Sequence, residues 1–122
     1  MLTVDSLFKA KIVNLILSKD TEEALELLSQ RYRVAKPNLK VGMPKQYSKK
    51  PACYVMKKQT IHVSDREVLC NPGVILHEFY HHLRNSTDAR RGIEKHAEKF
   101  VKNYLEAYRI IATQGASGIF KV

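Results

Sequence analysis

At 122 residues the chain has room for one hydrophobic core and not two. Its 44% hydrophobic content excludes a chain disordered throughout, and its two cysteines, Cys53 and Cys70, exclude a disulfide framework. No stretch approaches the run of about 18 apolar residues that a membrane helix needs. The 21 Lys and Arg against 12 Asp and Glu, +9 in all, admit acidic partners, nucleic acid included. That charge reads as spread along the chain and not gathered in one dense block, so a solubilising surface is favoured over a nucleic-acid interface. Lys9 and Lys11 interrupt the first apolar residues, and Asp5 stands where an export signal carries positive charge. The expectation is a cytoplasmic protein with both thiols free and no membrane partner.

Val4, Leu7, Phe8, Ile12, Leu15 and Ile16 recur at three- and four-residue intervals, which predicts an amphipathic helix. It breaks at Ser18-Lys19-Asp20. Asp20 with Glu23 has the form of a capping box, opening a second helix that ends near Tyr32 with Leu25 and Leu28 turned inward. These helices, within residues 1–36, are expected to back a sheet. Residues 38–66 then change period. Leu39, Val41 and Met43 alternate with polar or small neighbours, as in a half-buried strand, and two more short strands are predicted at 52–56 and 60–64. In the last of these Ile61 and Val63 share one face, and Thr60, His62 and Ser64 the other.

Asn71-Pro72 opens a helix over 71–84, because Asn is a good N-cap and Pro suits the first helical position. Asn85-Ser86-Thr87-Asp88 reads as a turn. A long helix follows over 93–113, and then a tail over 114–122 loosened by Gly115 and Gly118. The whole is a single α+β domain: helices behind a short three-stranded sheet, an HExxH helix, and a C-terminal helix bearing glutamates.

The chemistry is concentrated in His77-Glu78-Phe79-Tyr80-His81. An i, i+4 spacing puts both imidazoles on one side of a helix, one turn apart, where they can share a metal ion. Zinc suits imidazole nitrogen and acidifies a water that it holds. Glu78, about 100 degrees round the helix from His77, is free of ligand duty and can act as a base towards such a water. Chance gives this pattern in about one chain in a hundred of this composition. Here it also falls in an apolar helix, with Val74, Ile75, Leu76 and Leu83 around it.

A catalytic zinc needs a third protein ligand and one open position. Glu94, His96 and Glu98 are the candidates. Ala97, Val101, Leu105 and Tyr108 form an apolar line that Glu94 and Glu98 extend towards the helix start, while His96 falls with Lys99, Asn103 and Glu106 on the opposite face. A carboxylate on an apolar face is costly without a cation or donors, which a metal and its histidines supply. Glu94 is taken as the ligand and Glu98 as a hydrogen-bond acceptor for a ligand imidazole, with the reverse assignment left open. Cys70 is the other alternative, but it lies too far along the helix axis from His77.

HExxH followed by a glutamate on the next helix resembles the gluzincin metallopeptidases. The order of helix, short sheet, Asn-Pro-Gly-Val-Ile-Leu-His-Glu-Phe-Tyr-His-His-Leu-Arg and then Gly-Ile-Glu-Lys-His-Ala-Glu-Lys-Phe resembles the minigluzincins, minimal single-domain peptidases of archaea. A related likeness is to IrrE/ImmA-type regulatory peptidases, whose Glu-x-x-Ala-x-x-Phe pattern is filled here by Glu94, Ala97 and Phe100. The resemblance implies zinc on His77, His81 and Glu94, with Glu78 as general base and acid and Glu98 in support. It also implies a cleft-rim strand at 60–64, along which an extended substrate aligns. Tyr104 and Tyr108 stand where an oxyanion donor is sought, although core packing suits both better. The family also has latent forms in which a C-terminal segment blocks the cleft, sometimes that of a neighbouring molecule. Ile119-Phe120-Lys121-Val122 has the composition for such self-association. Two rivals remain: a non-enzymatic, zinc-stabilised module that binds nucleic acid or protein, and a regulatory peptidase with one dedicated protein substrate.

Overall fold

The computed structural model describes residues 3–87 and 94–113. The chain forms four α-helices and a three-stranded mixed sheet, an α+β fold. Helix α1, Val4–Leu17, is capped by Thr3, whose Oγ1 accepts the Ser6 N–H at 3.0 Å. The chain reverses through Lys19, in the left-handed region at φ 68°, into α2, Thr21–Tyr32. Asp20 is the N-cap residue, but its side chain makes no cap bond, so the expected capping box does not form. Leu25 and Leu28 are fully buried as expected.

Strands β1 (Asn38–Val41), β2 (Ala52–Val55) and β3 (Thr60–Val63) follow. β3 lies in the middle, parallel to β1 with Leu39 opposite Ile61, and antiparallel to β2 with Cys53 opposite His62. The β2–β3 connection is a single 3-10 turn, Met56–Lys58, closed by Gln59 at φ 46°. The expected faces of β3 hold in part: Ile61 and Val63 enter the core, but Thr60 is also buried, its hydroxyl donating to the Lys58 carbonyl at 2.8 Å. Val41, expected on the half-buried side of β1, is 47% exposed, at the end of an outer strand that pairs only with β3.

Helix α3, Pro72–Thr87, runs through Asn85-Ser86-Thr87, which reads as a turn in the sequence; neither Gly nor Pro intervenes to stop it. Helix α4 is Glu94–Thr113. Ile12 and Ile16 of α1 and Leu25 and Leu28 of α2 share one buried cluster with Ile61 and Val63 of β3. α1 packs along α4 and against α2, and the helix laid on β2 and β3 is α3. α1 can do this because Ala10, Ile12, Val13 and Ile16 are buried over a wide arc of its surface, enough for two neighbours. Ile12, Leu25, Leu28, Ile61, Ile75, Phe79 and Tyr104 meet in one core. Each large apolar side chain so buried contributes about 1.5–3 kcal/mol. Among the described residues no helix is long and apolar enough to cross a membrane. The C-terminal tail lies outside the described residues.

Candidate functional site

α3 starts where the sequence predicts. Asn71 Oδ1 accepts the Val74 N–H at 3.3 Å, and its carbonyl accepts the Ile75 N–H at 3.0 Å. From there Ile75, Leu76 and Phe79 turn fully into the core. That anchoring sets the rotation of the helix and leaves His77, Glu78 and His81 half-buried on its flank, all three lining one cleft of about 870 Å³. The opposite wall is β2 with its preceding loop, through Tyr47, Lys50, Cys53 and Tyr54.

The ring centroids of His77 and His81 are 5.0 Å apart, with their planes at 67°. Two imidazoles bound to one tetrahedral zinc through nitrogens at about 2.1 Å have their centroids about 5 Å apart. That separation is the one a shared ion would require, and Glu78 lies in the same cleft.

Among the described residues no three His, Cys, Asp or Glu side chains gather closely enough to hold a metal. The backbone of Glu94 begins α4, but the side chain of this expected third ligand lies outside the described residues. Glu98 departs from expectation. It is exposed and not on the buried stripe, which runs through Ala97, Tyr104 and Ile111 and leaves Leu105 37% exposed. The reason is that α4 packs on α1 as well as on α3, so its buried arc is turned towards α1. Glu98 nevertheless borders, with Val101 and Leu105, a smaller groove of about 330 Å³ that shares His77 and Gly73 with the main cleft. It thus sits on the His77 side of α4. His96 is exposed, as its helical phase predicts.

The rim strand is also not the expected one. β3 is hydrogen-bonded on both sides and has no edge to offer, whereas β2 is an edge strand and itself lines the cleft. Tyr104 is only 1% exposed, and its hydroxyl lies 2.6 Å from that of Tyr32, so it belongs to the core. Burial pushes that hydroxyl far above its ordinary titration range. Cys70 sits in the turn Val68–Cys70 and lines a separate cavity. His62 Nδ1 meets the Gly42 carbonyl at 2.9 Å. Burial raises the Cys53 thiol, the Glu78 carboxylate adds to this and Lys50 opposes it, which brings those three groups within electrostatic reach of one another.

His82, next to the motif, is completely buried. Its Nε2–H donates to the Ala35 carbonyl at 2.6 Å, and its Nδ1 accepts from the Tyr54 hydroxyl at 2.7 Å. The Asn85 amide donates to the Tyr54 oxygen at 3.3 Å. Burial pushes the His82 pKa down, and the neutral ring satisfies both neighbours. This network ties the edge strand and the α2–β1 connection to the helix that carries His77 and His81. The signal was present in the sequence: His82 follows Ile75 and Phe79 at helical spacing on the same buried stripe.

The positive charge is not spread evenly. Residues 27–64 contain nine Lys and Arg and no Asp or Glu, so they hold the entire +9 of the chain. No protein-family model matches the chain, and neither a curated protein nor a solved structure matches it.

Proposed function

We propose that the protein is a cytoplasmic zinc-dependent peptidase of minigluzincin type, with His77, His81 and Glu94 holding the ion and Glu78 as general base and acid. The observation that carries this reading is the 5.0 Å pairing of His77 and His81 on one flank of α3, beside Glu78, in a cleft bounded by an edge strand. Zinc bound there would supply a water acidic enough to act as a nucleophile near neutral pH and a Lewis acid for the scissile carbonyl. Glu78 takes the proton from the attacking water and passes it to the leaving amine. The outer edge of β2 aligns an extended chain by backbone hydrogen bonds, as sheet edges do. The Tyr54–His82 bond keeps that strand at a fixed distance from α3, which holds the scissile bond in reach of Glu78. Glu98, on the His77 side of α4, supports the ligand set from the flank.

Glu78→Gln is the direct test. It keeps the size and hydrogen bonding of the side chain but removes its basicity. Peptide hydrolysis is expected to be lost while the purified protein still carries zinc. Hydrolysis at the wild-type rate would refute the role of Glu78, and a wild-type protein that takes up no zinc would refute the metal centre.

A further inference from the structure

We infer that the polypeptide acted on is acidic, with carboxylates flanking an apolar stretch. This rests on the peptidase reading and names its substrate class. The wall of the cleft opposite α3 is β2, only four residues long, and lysines bracket it at both ends. Lys45, Lys49 and Lys50 precede it in the loop, and Lys57 and Lys58 follow it in the turn that begins with Met56. All five are exposed, and no carboxylate pairs with any of them among the described residues. Elsewhere in the basic segment Arg31 pairs with Asp5 at 3.0 Å and Lys36 with Glu22 at 2.9 Å.

Lys50 itself lines the cleft, with its Nζ 5.4 Å from the centre of the Tyr47 ring, which lines it too. Tyr54 within β2, with Tyr47 and Met56 beside its ends, gives the same wall apolar surface. A four-residue strand spans about 13 Å, so a chain paired along β2 carries residues past a cation at each end and past apolar surface between. Exposed like charges at this density steer an oppositely charged partner and select against a like-charged one. The groove on the far side of His77 has no such bias, since Lys102 and Arg109 there are accompanied by Glu98 and Glu106. A nucleic acid satisfies the lysines but offers no strand edge to β2 and no side chains for the apolar surface. An acidic peptide meets all three.

Three fluorogenic peptides identical except for Glu, Gln or Lys at two positions flanking an apolar centre test this. They are cleaved by wild-type protein, Lys50→Glu and Lys45→Glu/Lys49→Glu, at low and high salt. The same peptides, labelled, and a single-stranded polynucleotide are titrated by anisotropy into Glu78→Gln. The Glu peptide is expected to exceed the Gln peptide by about threefold to tenfold in kcat/KM, a margin that shrinks with salt. Lys50→Glu is expected to shift the preference towards the Lys peptide. Cleavage of all three peptides at equal rates overturns the inference and leaves the peptidase standing. Tight binding of the Glu peptide that Lys50→Glu weakens, without cleavage by the wild type, supports the acidic site and overturns the peptidase. Polynucleotide binding stronger than that of every peptide overturns the inference.

Discussion

The hydroxyl of Tyr54, on the edge strand, lies 2.7 Å from Nδ1 of His82, on the helix that carries the HExxH motif. The imidazole is fully buried, and its other nitrogen is committed to the Ala35 carbonyl. Tyr54→Phe therefore leaves a buried acceptor with no donor. A loss of about 1–2 kcal/mol in urea denaturation near pH 7.5 is expected. The exposed Tyr47→Phe is expected to show no measurable loss. Equal stabilities for Tyr54→Phe and wild type would mean that the network does not hold β2 to α3.

Zinc uptake separates the two glutamates of α4. Under the proposed function, His77→Ala and His81→Ala each abolish zinc binding in equilibrium dialysis. Glu94→Ala removes a ligand and is expected to weaken binding by far more than Glu98→Ala, for which a loss of about 10–100-fold is the usual effect of disturbing a supporting group. Equal affinity in Glu94→Ala and wild type would remove Glu94 from the ligand set.

Tyr104 offers a control on the oxyanion question. Its hydroxyl meets Tyr32 inside the core and not in the cleft. Tyr104→Phe is expected to keep the wild-type kcat while costing about 1 kcal/mol of stability in the same denaturation assay. A large fall in kcat with unchanged folding would return Tyr104 to the site.

Asp5 links α1 to α2, pairing with Lys9 at 3.1 Å and Arg31 at 3.0 Å. The Lys9 hydrogen bond, helped by that of Arg31, holds its carboxyl below the usual range against the desolvation that opposes it. A lowered folded-state pKa means that the unfolded chain binds the proton first as pH falls. The contribution is present above about pH 4 and is lost below it. Because the side chain is half exposed, screening limits the effect to about 0.2–1 kcal/mol. Asp5→Asn is expected to lower stability by that amount at pH 7 and by progressively less as pH falls below about 4.

Much of the local structure was legible in the sequence because it depends on neighbours a few residues away. The helix at Val4–Leu17, the Asn71 cap, the three strands and the i, i+4 pairing of His77 with His81 are all set by spacing and cap chemistry. The misreadings share one cause. Helical phase puts Glu98 on an apolar line that α4 does not bury, because the second partner of α4 is α1, nearly the whole chain away. The core closes over His82 only when Ala35 and Tyr54 arrive from residues 47 and 28 positions earlier. The place of β3 in the middle of the sheet has the same cause: which of three strands becomes an edge is decided by pairing order, and all three carry similar patterns.

The sequence alone therefore determined the elements, the two imidazoles one turn apart and the carboxylate beside them, because helical periodicity is a local property of the chain. Only the tertiary structure decided which face of α4 is covered, which strand edge faces the cleft and that the basic segment brackets it. Those outcomes depend on contacts between distant segments, where burying apolar area in one shared core outweighs the preference of any single helix or strand.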